Sequence, residues 1–289
     1  MKSKKKGKFS TILLIVLLLA GLGLLIYPSA SNFWNSIHQT KAIKSYIEDV
    51  SNLSKNDLSD IWKEVDKYNK NILNRSNPYI PSANEKSQYK NLLDVSGTGM
   101  MGYIDIPKIK VTLPIYHGTE KGILQVAAGH LDWTSLPAGG KNTHCVMSGH
   151  RGLPSAKLFT DLDKLEVGDT FILSVLDRTL TYEIDQIIIV RPEKTDALEI
   201  VEGEDLCTLV TCTPYGINTH RILVRGHRIT GDSQSSSSVK VTSDAVKMGS
   251  LMVAPMLAVP ILLVVLVVIL IKDKKRKARQ VIKNEKDDE

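Results

Sequence analysis

Leu206-Cys207-Thr208-Leu209-Val210-Thr211-Cys212-Thr213-Pro214-Tyr215-Gly216 is the stretch on which the fold turns. Residues 206–212 are rich in Leu, Val and Thr, and a Pro-Tyr-Gly turn follows. A second such run, 221–229, begins soon after. Strand, turn and strand in this order read as an antiparallel pair. The same pattern extends upstream through runs at 103–106, 111–116, 145–148, 170–176 and 179–190. Ile106-Pro107-Lys108, Ala138-Gly139-Gly140 and Val167-Gly168-Asp169 supply turns between them. Many short strands so spaced predict a mainly β domain, a closed barrel or a sandwich. Residues 155–165 read as one short helix between strands.

Upstream of the strands the period changes. Residues 34–75 read as helical, with Ile37, Ile43, Ile47 and Val50, then Leu58, Ile61, Val65, Tyr68 and Ile72. The second set recurs at spacings of three and four, the mark of an amphipathic helix. Asn and Ser interrupt it near 51–54, which predicts a hairpin or a bent helix. Residues 76–99 hold Asn77-Pro78-Tyr79-Ile80-Pro81 and then Gly97-Thr98-Gly99. Two prolines so close forbid regular helix, so this stretch reads as a surface loop and a connector to residues 100–230.

Two further runs are too apolar for a soluble core. Residues 9–26 and 251–271 carry no charge over eighteen and twenty-one positions. A bilayer core needs roughly 20 apolar helical residues, so both qualify as spans, the second within a 249–271 helix. Residues 1–8 carry five lysines and no acid; residues 272–289 carry eight Lys or Arg against five acids. Positive flanks stay on the cytoplasmic side, so both termini are expected there and the polar middle outside. A Ser-rich stretch, 231–248, reads as a tether. A cleaved signal peptide is the competing reading of the first run, but Pro28 stands where a small residue is wanted near Ser29-Ala30. The flanks carry +5 and +3 against a formal charge of +6 for the whole chain, so the remainder is −2. That balance excludes the basic surface of a nucleic-acid binder.

Three cysteines, Cys145, Cys207 and Cys212, leave at least one free thiol, and a free thiol outside the cell suggests reactivity. Cys212 ends its strand beside a turn, where a nucleophile would be exposed and rigidly held. A small buried side chain is the commoner fate of free cysteine, and the residues by themselves favour it slightly. A thiol of ordinary pKa, about 8.5, needs a neighbouring imidazole or guanidinium to become thiolate at neutral pH. His150, in Ser148-Gly149-His150-Arg151-Gly152, also ends a strand and is the strongest candidate. His220 and His227 are weaker, His38 and His117 have no constellation, and His130 and His144 read as packing or loop residues. Arg221 opens the strand after Cys212 and would lie near it in an antiparallel pair, where an always-charged donor stabilises an oxyanion. Cys207, Cys212, His220 and His227 are too widely spaced for a zinc site. No metal and no cofactor is expected.

Thr208-Leu209-Val210-Thr211-Cys212 resembles the Thr-Leu-X-Thr-Cys signature of the sortases, with Arg221 and His150 at the positions of the family's catalytic arginine and histidine. Met101-Gly102-Tyr103-Ile104-Asp105-Ile106-Pro107 and Leu113-Pro114-Ile115-Tyr116-His117-Gly118 resemble the pilus-assembling class C. The resemblance covers roughly 100–230 and implies an eight-stranded sortase β-barrel with N-terminal helices, a lid loop and flanking transmembrane helices. It further implies a transpeptidase that cleaves Leu-Pro-X-Thr-Gly-like sorting signals between Thr and Gly. Its expected partners are pilin precursors, with a pilin lysine or a cell-wall precursor as amine acceptor. A wall-anchoring housekeeping sortase and a hydrolytic cysteine peptidase are the alternatives. In class C an Asp-Pro-aromatic motif in the lid plugs the cleft, the ring on the cysteine and the aspartate paired with the arginine. Asn77, Pro78 and Tyr79 match it with asparagine for aspartate, so Arg221 is expected to meet an amide oxygen without a charge pair, and the lid to be looser.

Overall fold

The computed structural model describes residues 3–75 and 77–229. The Ser-rich tether, the second apolar run and the basic tail lie outside the described residues. Two compact units are distinguished. One contains residues 1–30 and 244–289, and the other runs from Ser31 to Ser243. Within the first, the described chain is the start of helix α1 (Ser3–Ser51), which continues through Pro28. It carries a window of mean hydropathy 1.7, long and apolar enough to cross a membrane.

The second unit is built around eight strands: β1 (Met100–Ile106), β2 (Val111–His117), β3 (Ala128–His130), β4 (Thr143–Ser148), β5 (Thr170–Val175), β6 (Arg178–Val190), β7 (Asp205–Thr213) and β8 (His220–Arg228). They close into a barrel in the order β1-β2-β3-β4-β7-β8-β6-β5. The β2–β3 and β4–β7 pairs are parallel and the rest antiparallel. Seven strands fall on the runs read from sequence. β3 escapes that reading, because three residues, Ala-Gly-His, carry no period and no β-branched side chain.

Alternation along each strand sorts the side chains. Cys145, Met147, Cys207, Leu209, Ile222 and Val224 join the main core with Leu173, Tyr182 and Ile115. Helix α2 (Lys55–Ile72) continues that core through Trp62, Val65, Tyr68 and Ile72. It starts on a Ser54–Asp57 capping box, at the break that Asn and Ser predict. Asn69 exchanges hydrogen bonds with the Leu136 carbonyl (3.1 Å) and N–H (2.8 Å), and Arg178 stacks 3.7 Å above the Trp62 ring. α2 thereby covers the β3–β4 connection and the β5–β6 turn, at the end of the barrel where β4 and β7 begin.

Two readings of the connections are corrected. Residues 76–99 contain a helix, α3 (Ala83–Asn91), started by a second capping box between Ser82 and Glu85. The Ser-x-x-Glu spacing was its signal; the neighbouring prolines masked it. Residues 155–165 form turns and one 3-10 turn, Leu162–Lys164, in place of a helix. Leu158 takes φ +41°, and Phe159 N–H donates to the His150 carbonyl (3.1 Å), which folds the segment back on itself.

His130 is fully buried beneath α3. Its Nε2 lies 2.8 Å from the Ser135 carbonyl, so that nitrogen carries the proton, and Nδ1 faces the Tyr89 hydroxyl at 3.0 Å. Burial, opposed by the Ser135 bond, lowers its pKa to about 3. A base whose folded pKa lies below its unfolded value, about 6.5, adds stability above that value and loses it as pH falls toward 3. Urea unfolding should therefore show at least about 2 kcal/mol less stability at pH 5 than at pH 7.5. A profile flat over that range would refute a neutral buried His130.

Candidate active site

Cys212 is the penultimate residue of β7 and shares the parity of Val210, which points away from the barrel interior. Val146, Leu198, Val210 and Leu223 form a separate apolar cluster on this outer face, with Leu131, Trp133, Ile188 and Val190 packed against it. Cys212 stands at the edge of the cluster, partly exposed. The two other cysteines are buried and adjacent, since Cys145 and Cys207 are register partners of β4 and β7. Burial pushes the Cys207 thiol well up, which keeps it inert. Cys207 and Cys212 thus face opposite sides of the sheet, as their odd separation requires.

Arg221 is the direct partner of Cys212 in the β7–β8 ladder. Opposed residues of an antiparallel pair have Cβ atoms about 5 Å apart on one face, so the two side chains leave the sheet as neighbours. Arg221 Nη1 donates to the Asn218 carbonyl (3.1 Å) and the His220 carbonyl (3.0 Å), which holds the head at the β7–β8 turn.

His150 arrives from the other flank. Ser148 pairs with Val210 at the end of the parallel β4–β7 ladder. The chain stays on β7 for one residue more: Gly149 N–H donates to the Val210 carbonyl (3.1 Å), and Thr211 Oγ1 donates to the Gly149 carbonyl (2.6 Å). His150 is thus two residues past Ser148 as Cys212 is two past Val210. A Cβ on Gly149 would sit 2.6 Å from Phe159 Cδ2, so only glycine fits this crossing. Arg151 reinforces the junction, with Nη1 on Thr213 Oγ1 (3.1 Å) and Nη2 on Asp163 (2.5 Å). Partial burial lowers the pKa of the His150 imidazole, so its charged form is less populated near neutrality than in free solution.

The lid tripeptide goes elsewhere than expected. Asn77 Oδ1 accepts from Tyr79 N–H at 3.0 Å, closing a turn on itself, while Arg221 turns to the two carbonyls of its own loop. The amide is satisfied locally and has no charge to draw the guanidinium across. The Tyr79 ring meets Trp133 edge-on at 5.2 Å, and its hydroxyl bonds Glu199 in the β6–β7 connection. The lid residues therefore cover the apolar cluster beneath Trp133. His144, read from sequence as a packing or loop residue, anchors this arrangement. Its Nδ1 donates to the Glu199 carbonyl (2.8 Å), and Nε2 accepts from Thr208 Oγ1 (2.7 Å). Among the described residues no group of three or more His, Cys, Asp or Glu is placed to hold a metal ion.

A cysteine flanked by an arginine on one neighbouring strand and a histidine on the extension of the other suits nucleophilic acyl transfer. A Sortase domain model matches residues 104–229. Sortase A of Streptococcus agalactiae serotype III (strain NEM316) is 30% identical over 233 residues, 78% of this chain and 88% of that protein. The chain therefore belongs to the sortase family, whose members are cysteine transpeptidases. Its structural neighbours are class C sortases. Sortase C1 from Streptococcus agalactiae is 49% identical, with a TM-score of 0.65, over 66% of this chain and 100% of that one. Sortase C from Streptococcus pneumoniae is 44% identical, with a TM-score of 0.61, over 66% and 97%.

Loss of the Tyr79–Glu199 bond should free the lid. Tyr79→Phe is expected to speed alkylation of Cys212 by iodoacetamide about threefold, followed by intact mass. Rates equal to those of the parent would show that this contact does not restrain access.

Proposed function

We propose that this chain is a membrane-anchored class C transpeptidase that joins pilin subunits, with Cys212 as nucleophile, His150 as general acid and base, and Arg221 as oxyanion donor. The observation that carries the reading is the ladder register, which sets Arg221 opposite Cys212 while the β4 extension brings His150 to its other side. The class C neighbours support the pilin substrate, and the structure of the Streptococcus pneumoniae neighbour bears on pilin substrate specificity. The apolar part of α1 supports a membrane anchor. The basic flanks support a topology with both termini in the cytoplasm and the barrel outside.

In this mechanism the Cys212 thiolate attacks the threonyl carbonyl carbon of a Leu-Pro-X-Thr-Gly-like signal. The negative oxygen that forms is met by the Arg221 guanidinium. The Thr–Gly C–N bond breaks as the His150 imidazolium gives its proton to the leaving glycine amine, and a thioester remains. An incoming amine, a pilin lysine or a wall precursor, gives its proton to the now neutral imidazole and attacks the thioester. Cys212 leaves as thiolate. The competent form pairs a thiolate with an imidazolium, and the lowered His150 pKa makes that pair scarcer as pH rises through neutrality.

The test is intact-mass analysis of the full chain in detergent with a Leu-Pro-X-Thr-Gly peptide and hydroxylamine. The parent should yield the threonyl hydroxamate, Cys212→Ala none, and Arg221→Ala about 10²-fold less. Free acid as the sole product would indicate a hydrolase. Hydroxamate from Cys212→Ala would remove the nucleophile from the reading. Replacing hydroxylamine by a lysine-bearing pilin fragment or by a wall-precursor amine then separates polymerisation from anchoring.

A further inference from the structure

The loop that carries His150 leaves β7 after Gly149 and returns near Asp163, and its tip is held by helix α1. Lys157 N–H donates to Asn32 Oδ1 at 2.7 Å, and Asn35 Nδ2 donates to the Ser155 carbonyl at 2.8 Å. The two asparagines are three residues apart, hence on one face of the helix. Both are partly buried, and asparagine is a poor residue for a helix interior, where its side chain competes with the backbone. Here both amides are occupied by a neighbouring segment.

The bonds within the loop carry that hold to the histidine. Ala156, Leu158 and Phe159 are buried beside the tip. Phe159 N–H donates to the His150 carbonyl (3.1 Å), and its ring fills the space above Gly149. Thr160 Oγ1 accepts from Gly152 N–H at 3.1 Å. Lys157 Nζ reaches the Ile109 carbonyl at 2.7 Å, which fixes the tip to the barrel as well. A shift of residues 155–157 therefore moves Phe159, and with it the backbone of His150.

We infer that Asn32 and Asn35 are positioning residues for His150, so that helix α1, from the side of the barrel, sets the geometry of the thiol–imidazole pair. The inference rests on the proposed role of His150 and deepens it. In sequence, Asn32 lies six residues beyond the apolar run 9–26, so the clamp belongs to the first turns of helix after the proposed membrane anchor.

The two amides act in opposite senses, which makes the inference sharp. Asn32 accepts, so Asn32→Asp keeps an acceptor for Lys157 N–H. Asn35 donates, so Asn35→Asp loses the donor and sets a carboxylate against the Ser155 carbonyl. The experiment uses the full chain in detergent micelles and measures two quantities for each variant. One is the rate of Cys212 alkylation by iodoacetamide against pH; the other is kcat and KM for hydroxamate formation.

The combined Asn32→Ala, Asn35→Ala variant should lose about tenfold in kcat at unchanged KM, and its alkylation profile should move toward that of His150→Ala. Asn32→Asp should restore the parent values at position 32, and Asn35→Asp should match Asn35→Ala. If the combined variant does not fold, the single variants carry the same comparison. A combined variant with the parent's profile and kcat overturns the inference. So does a kcat that falls only with the folded fraction while the profile stays fixed, or an Asn32→Asp no better than Asn32→Ala. If His150→Ala itself leaves profile and turnover unmoved, the role of His150 falls and this inference with it. If the parent forms no hydroxamate, the transpeptidase reading fails, and the alkylation profiles still decide the clamp.

Discussion

Everything at the candidate site depends on the hydrogen-bond register of β7. This strand is bonded on both edges, to β4 in parallel and to β8 antiparallel, and is buried over most of its length. A strand held on two sides and packed on two faces cannot slip by one residue without turning its whole apolar set outward. The three side chains proposed for the chemistry come from three different segments, yet each takes its place from that single ladder. Precision at the thiol is thus inherited from the backbone pairing of the barrel, and no contact among the three side chains is needed to set it. Rigid sheet elements are well suited to this, since a small displacement of a reacting group costs orders of magnitude in rate.

The outer face of the same sheet serves a second purpose. Its apolar cluster is roofed by the β6–β7 connection, and His144 ties that roof to Thr208 of β7 through an Nδ1–carbonyl bond at Glu199. Burial lowers the His144 pKa, which suits a ring that must donate at one nitrogen and accept at the other. Tyr79 then rests on Glu199 and Trp133, so the lid touches the roof and stands clear of the arginine. Roof and lid form one connected series of contacts that starts from the strand carrying Cys212.

Most of this was legible in the residues, and the exceptions have physical reasons. Long runs such as 179–190 and 206–212 announce strands because β-branched and aromatic side chains fit a pleated, half-buried surface. β3 is a strand only because β2 and β4 bracket it, and Ala-Gly-His has no local preference to read. The segment 155–165 has helix-forming residues, but its bonds to His150, Ile109 and α1 are all made outside the segment, the last two to distant parts of the chain, and they override propensity. The relation of Cys212 to Arg221 was visible because one turn joins their strands. His150 was marked by its place at a strand end, but it approaches from a parallel neighbour some sixty residues earlier in the chain, a pairing that no local turn announces. The same limit applies to His144, whose two partners lie 55 and 64 residues away.

The spacing of the β7 cysteines carries a consequence for the chain's evolution. Cys207 and Cys212 are five positions apart, so one sulfur is sealed in the barrel and the other is presented at its surface. Gain or loss of a single residue between them, without a compensating bulge, would bring both sulfurs to the same face of the sheet. Either the buried thiol would be put on display or the presented one entombed. The interval from 207 to 212 is therefore closed to insertions and deletions of odd length. A lineage could rewrite much of the surrounding surface and still be obliged to count correctly here.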